Sequence, residues 1–167
     1  MEVQKMQIDY LFLDNETCQR CRNTEKLLDE VIDQTKELLK TSGIELMIHK
    51  AKIETRKDAI AYQFERSPTV LVNGLDIGFE QGESACDDCG ELCGCEDGTT
   101  CRSWVFEGKA YDVPPRELLT NRILQGIFGN IQRDEKKYVL PQNLESFFAG
   151  KEKVHEEKQC CESTCCS

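Results

Sequence analysis

The sequence predicts an α/β domain, a central mixed β-sheet flanked by helices, with a Cys-rich insertion near a β-hairpin and a C-terminal extension. Three observations carry this. A short apolar run, Ile8-Asp9-Tyr10-Leu11-Phe12-Leu13, stops at Asp14-Asn15-Glu16-Thr17 and gives way to helical periodicity. A second stretch alternates apolar and polar residues, Ile44, Leu46 and Ile48 against Glu45, Met47 and His49. A third, Thr69-Val70-Leu71-Val72, is β-branched and apolar and ends at Asn73-Gly74, a strong two-residue hairpin turn leading into Leu75-Asp76-Ile77.

The connecting segments read as helices. Leu27, Leu28, Val31, Ile32, Leu38 and Leu39 recur at helical spacing opposite Glu25, Asp29, Asp33, Lys36 and Lys40, and Gly43 stops the run. A shorter helix is predicted from Thr55 to Glu65, with Ala59, Ile60 and Phe64 inward; Ser67-Pro68 breaks it, because the residue before a proline is pushed out of the helical region. From Gly78 to Cys101 the chain is small, acidic and Cys-rich, with too few apolar residues for an element of its own, and reads as an insertion. Regular structure resumes at Ser103-Trp104-Val105-Phe106, turns at Glu107-Gly108 and continues through Ala110-Tyr111-Asp112-Val113. Trp104, Phe106 and Tyr111 are expected in the core. Pro114-Pro115 opens a last core helix with Leu118, Leu119, Ile123, Ile127 and Phe128 inward. The organisation is therefore residues 1–128 as one domain, carrying the insertion at 78–101, and 129–167 as an extension. In that extension Leu144, Phe147 and Phe148 form a patch able to dock back, and the end from Lys151 onward is expected to be flexible.

Chain length suffices for a real core without disulfide staples, so the eleven cysteines among 167 residues need another explanation. Their odd number argues against a closed disulfide framework. The N-terminal residues lack the basic and apolar regions of a signal peptide, and no segment approaches membrane-spanning length. A reducing cytoplasm is the expected compartment, where grouped thiols point to metal binding or thiol chemistry. The net charge of −10, with no basic patch, weighs against nucleic acid and anionic membrane as partners.

Cys18-Gln19-Arg20-Cys21 stands between the first strand and the first helix. There the helix dipole and unpaired backbone N–H groups stabilise a thiolate, and Arg20 and Arg22 add positive charge. The spacing lets Cys21 resolve a mixed disulfide formed at Cys18. With Ser67-Pro68-Thr69 ahead of the third strand, residues 7 to 128 resemble the thioredoxin superfamily, in which a proline at the position of Pro68 lies against the Cys-x-x-Cys site. The dipeptide Gln19-Arg20 differs from those of well-known thioredoxins and glutaredoxins. More closely, the chain is similar to a Cys-rich thioredoxin-like family of bacteria and archaea described only as a domain of unknown function. The similarity lies in the Cys-rich insertion, the Trp-Val-Phe-x-Gly-x-x-Tyr-x-x-Pro-Pro stretch and Pro-x-Asn-Leu-x-x-Phe-Phe. The superfamily resemblance implies a thiol-disulfide oxidoreductase with Cys18, Cys21 and Pro68 at its site.

The insertion holds Cys86-x2-Cys89-x3-Cys93-x-Cys95-x5-Cys101, interleaved with glycines that permit tight ligand loops. Four thiolates close a tetrahedral zinc site and can fold a loop too polar to fold alone, so a structural zinc on four of these five is expected. An iron–sulfur cluster, pinning disulfides, and thiol relay to Cys18 and Cys21 are the alternatives. At the C-terminus Cys160, Cys161, Cys165 and Cys166 form two adjacent pairs, similar to those of arsenic- and mercury-handling proteins and suited to a soft metal or metalloid. The alternative there is a solvated tail. His49 and His155 are expected outside any site. Two functions stay open: an oxidoreductase acting on a disulfide-bearing protein or thiol, and a soft metal or metalloid carrier (arsenic, mercury, copper or zinc) in which Cys18 and Cys21 chelate and the tail exchanges cargo with a donor or acceptor.

Overall fold

The computed structural model describes residues 2–78, 82–95, 98–129 and 136–162, the side chains of 161 and 162 excepted. In chain order the elements are β1 (Gln4–Phe12), α1 (Gln19–Thr41), β2 (Ile44–Lys52), α2 (Arg56–Tyr62), β3 (Thr69–Val72), β4 (Leu75–Asp76), β5 (Gly82–Ala85), α3 (Asp87–Cys93), β6 (Thr100–Phe106), β7 (Lys109–Tyr111), α4 (Arg116–Phe128) and α5 (Gln142–Glu162).

Two sheets form. The first has the order β2-β1-β3-β4, with β1 and β2 parallel, Gln4 facing Ile44, and β3 antiparallel to β1, Ile8 facing Val72. A parallel neighbour needs a crossover, and α1 supplies it. This is a mixed sheet flanked by helices. Asn73 and Gly74 both take positive φ, 49° and 79°, the conformation their dipeptide favours in a tight hairpin. α4 lies so close to β3 that a Cβ on Gly126 would come within 2.8 Å of Val72 Cβ, so only glycine admits this approach. The second sheet is β5-β6-β7.

Helix ends follow local chemistry. Thr55 caps α2 in a reciprocal box with Asp58. Asp14 Oδ1 accepts from the backbone N–H groups of Glu16, at 3.0 Å, and Thr17, at 2.6 Å, fixing the approach to α1.

Four expectations are corrected. The insertion does form elements, β5 and α3, because its cysteines act as the apolar face: Cys89 and Cys93, one turn apart, are both buried. The chain beyond Lys151 continues α5 through Glu162. Leu38, Ile60 and Phe128 face solvent at 67, 54 and 62 % exposure, since each helix turns its stripe away from the sheet at those positions. Ile48 is also exposed, because β2 is a sheet edge. The docking patch of the extension is buried as expected, Leu144, Phe147 and Phe148 all lying in the core. α5 meets α3 at Gly150, where a Cβ would fall 2.2 Å from the Cys93 carbonyl oxygen. Trp104 is buried, while Phe106 and Tyr111 are half-buried.

Arg102 of β6 is 1 % exposed and joins the second sheet to the first. Its guanidinium pairs with Asp76 at 2.6 Å, reaches Thr69 Oγ1 and the Gly78 carbonyl, and lies over Trp104. Its backbone N–H donates to the Ser67 carbonyl at 2.7 Å. Removing the carboxylate strands a buried charge. Asp76→Ala should therefore lower unfolding free energy by about 2–3 kcal/mol, read by urea denaturation, discounted for the partial exposure of Asp76.

Candidate metal centre

Cys18 is the N-cap of α1 and Cys21 sits in its first turn. Cys86 and Cys89 occupy the same two places on α3, so the two Cys-x-x-Cys pairs are laid out alike. Cys101 comes from β6. The fold brings Cys18, Cys86, Cys89 and Cys101 together, every sulfur within 4.8 Å of every other and all four residues buried. Cys18 Sγ lies 3.8 Å from Cys86 Sγ, and Cys89 Sγ 3.6 Å from Cys101 Sγ. Zinc–thiolate bonds of ~2.3 Å in a tetrahedron set the sulfurs about 3.8 Å apart. Two of the separations match that spacing and the others stay within 4.8 Å, close enough for one ion to draw the four sulfurs together. Four buried cysteines that could hold a metal ion are a property of this structure.

The remaining sequence candidates lie elsewhere. Cys93 and Cys95 are joined to each other by a disulfide, so the insertion contributes Cys86, Cys89 and Cys101, and the fourth sulfur comes from Cys18 of the other pair. Cys21 is fully buried, outside the quartet, with its sulfur 3.2 Å from Ser67 Oγ. Pro68 follows Ser67 through a cis peptide bond at the start of β3. Cys160 is exposed on α5; the side chain of Cys161, and Cys165 and Cys166, lie outside the described residues. His49 pairs with Asp9 at 3.1 Å and stacks on Tyr62, and His155 contacts Gln159; neither belongs to the four-sulfur group.

The electrostatics follow from crowding four thiols in a buried space. Hydrogen bonds from Cys101, then Cys21, Cys86 and Cys89, hold the Cys18 thiol far below its ordinary range. Cys86 is lowered as well, chiefly by Cys101. Cys101 is driven up by its bonds to Cys18, Cys86 and Cys89. At Cys89 the bond from Cys101 pulls down, but Cys18, Cys86 and burial together outweigh it and raise the thiol. Cys21 is raised by its bond to Cys18 and by burial. Crowding thus sets the four thiols against one another. All four ionise together only when a cation offsets their repulsion.

Polar contacts seat the insertion over α1. The Gln19 N–H, one of the unpaired donors at a helix start, donates to Asp88 Oδ2 at 3.0 Å. Arg20 donates to Ser84 Oγ and the Ala85 carbonyl, both at 2.6 Å, and pairs with Asp112 at 3.2 Å. From below, Tyr10 donates to the Cys21 carbonyl at 2.5 Å. Ser67 Oγ, the partner of Cys21, also accepts from the Leu13 N–H at 3.0 Å, tying the end of β1 to the first turn of α1.

These features define an α/β protein organised around a buried four-cysteine centre shared by its main sheet region and its insertion. Over residues 6–123 the chain matches the family described as Domain of unknown function (DUF2703), and it belongs to that family. The matched span contains all four sulfurs of the quartet and Cys21, and it stops within α4. No curated protein and no solved structure matches the chain. No helix among the described residues is long and apolar enough to cross a membrane.

Sequence reasoning missed the membership of Cys18, since spacing along the chain carries no information on a contact 68 residues away. The available signal was that Cys86-x2-Cys89 is half of a four-thiolate site and the first Cys-x-x-Cys was another source of donors.

Arg20 is the side chain that most directly holds the insertion down. Arg20→Met should speed amide exchange over residues 82–89 at least tenfold, about 1.4 kcal/mol of lost protection, while α1 beyond its first turn keeps its exchange rates. Unchanged exchange in 82–89 would show that Arg20 does not seat the insertion.

Proposed function

We propose that this chain is a thiolate metal-binding protein in which Cys18, Cys86, Cys89 and Cys101 hold one tetrahedral ion, zinc fitting best. The observation that carries the reading is the mutual approach of four buried sulfurs to within 4.8 Å. A tetrahedral all-sulfur set selects zinc or iron over hard cations. A four-iron cluster places each thiolate on a different metal and needs the sulfurs farther apart, so a single ion suits this spacing. The donor set is closed, with no position left for a water, which makes the ion a structural one rather than a hydrolytic one.

The frame around the site supports a thioredoxin-like topology: strand, helix, parallel strand, helix, then an antiparallel hairpin and a helix, with Pro68 opening β3 next to the partner of Cys21. On such a frame an exposed Cys-x-x-Cys exchanges disulfides. Here Cys18 and Cys21 are both 0 % exposed, and the sulfur that would attack is engaged in the quartet. Burial of the nucleophile weighs toward metal binding and away from turnover of a protein disulfide in the metal-loaded form. The second sulfur-rich element, Cys160 with Cys161, Cys165 and Cys166, would then serve as a loading arm that passes a soft ion inward, with a metal donor or acceptor as partner.

Elemental analysis of anaerobically purified protein should find about one zinc per chain. Single substitutions Cys18→Ser, Cys86→Ser, Cys89→Ser and Cys101→Ser should each abolish stoichiometric binding, whereas Cys21→Ser and Cys93→Ser retain it. Binding at an equal level in Cys18→Ser would remove Cys18 from the site, and a brown chromophore would replace zinc by iron. Since thiols must lose protons to bind, lowering the pH lets protons compete, so the ion is retained at high pH and released as pH falls. Titrating metal content downward from pH 8 checks the sign.

The arm is tested separately. Deleting residues 160–167 should leave the equilibrium affinity of the buried site unchanged and slow its loading from a zinc–thiol complex several-fold. Equal loading rates would leave the tail without this role.

A further inference from the structure

Cys18 belongs to two groups at once. It is one of four sulfurs in the quartet, and it is the first member of a Cys-x-x-Cys pair whose second member, Cys21, takes no part in the quartet. Cys21 lies in the first turn of the same helix, three residues after the N-cap Cys18, fully buried and on Ser67 Oγ, and that spacing lets the two sulfurs meet in a disulfide. A sulfur bound in a disulfide has no thiolate to give a metal. From this shared atom we infer that metal occupancy and the oxidation state of the Cys18–Cys21 pair are a single linked equilibrium: forming the Cys18–Cys21 disulfide withdraws one of the four ligands and releases the ion.

The inference rests on the four-cysteine reading and adds its regulation. The electrons balance with a low-molecular-weight disulfide as oxidant. The Cys18 sulfur attacks one sulfur of the oxidant, forming a mixed disulfide and expelling the first thiolate. Cys21 then attacks the Cys18 sulfur, displaces the second thiolate and gives its proton to one of the two products. Two electrons leave Cys18 and Cys21 and appear on the two released sulfurs, one a thiol carrying the Cys21 proton and the other a thiolate that takes its proton from water. Cys86, Cys89 and Cys101 remain as three ligands, an incomplete site that loses its ion to solvent.

The fold also sets when this happens. With both sulfurs at 0 % exposure under the insertion, attack requires the insertion to open, and the contacts from Arg20 to Ser84 and Ala85 and from Gln19 to Asp88 oppose opening. Release is thus gated by those contacts and committed by Cys21. Linkage is reciprocal, so zinc must shift the dithiol potential as much as oxidation shifts zinc affinity. Zinc binds the reduced form and so favours reduction.

The test uses the full-length zinc-loaded chain in glutathione redox buffers at several free zinc concentrations. Cys18 and Cys21 are followed by differential alkylation and mass spectrometry, and zinc by a colorimetric chelator. The expected result is one zinc released per Cys18–Cys21 disulfide formed. The midpoint potential of that pair should become less negative by about 30 mV for each tenfold rise in free zinc above the dissociation constant. Cys21→Ala should load zinc normally and release it at least tenfold more slowly. A midpoint flat in zinc, release from Cys21→Ala as fast as from the parent, or release accompanied by a disulfide among Cys86, Cys89 and Cys101 would each overturn the inference. The potential series needs no variant, so a misfolded Cys21→Ala would not blunt it. Purified reduced protein without stoichiometric metal would instead overturn the four-cysteine reading itself, and this inference with it.

Discussion

The architecture turns on one constraint: four thiols, three from the insertion and one from the start of α1, must share a buried space too small for four negative charges unless a cation is present. Everything near the site serves that convergence. Asp14 fixes the approach to α1, Tyr10 and Ser67 hold its first turn, and Arg20 and Asp88 draw α3 and β5 across it. The insertion has little apolar surface of its own. Its cysteines are its core, which is why sulfur both folds this segment and gives it chemistry.

The same convergence explains why the two functional expectations separate. A helix-start cysteine open to solvent is placed to act as a nucleophile; the same cysteine buried beneath a second Cys-bearing helix is placed to act as a ligand. The insertion buries Cys18 and brings it among three further sulfurs, which is what tips the proposed reading toward metal binding. The packing of α5 at Gly150 against Cys93, and the Cys95 sulfur on the Ser146 carbonyl, brace α3 from its far side.

Much of the fold was legible in the residues. β1, α1, β2 and the Thr69–Val72 strand with its Asn73-Gly74 turn are strongly patterned, and local pattern is what a sequence displays. The insertion is not legible because its apolar face is made of cysteine, and the reach of α5 is not because its charged turns conceal a helix held by Arg56, which pairs with both Glu145 and Glu152. At the site, the residues were legible as candidates but not as a set. Spacing points to four of Cys86, Cys89, Cys93, Cys95 and Cys101 as one set and to Cys18 with Cys21 as a separate redox or soft-metal pair, whereas the fold takes three from the first group and Cys18 alone from the second.

By itself the sequence determined which atoms are available: two Cys-x-x-Cys pairs, a third sulfur group in the tail, a mixed α/β order of elements and a proline ahead of β3. Those follow from composition and short-range spacing, which the chain carries openly. Only the tertiary structure decided which sulfurs meet, that Cys18 joins the insertion while Cys21 is left aside, and that both are shut from solvent. Such choices depend on how distant segments pack, and no local pattern encodes the distance between residues 18 and 86.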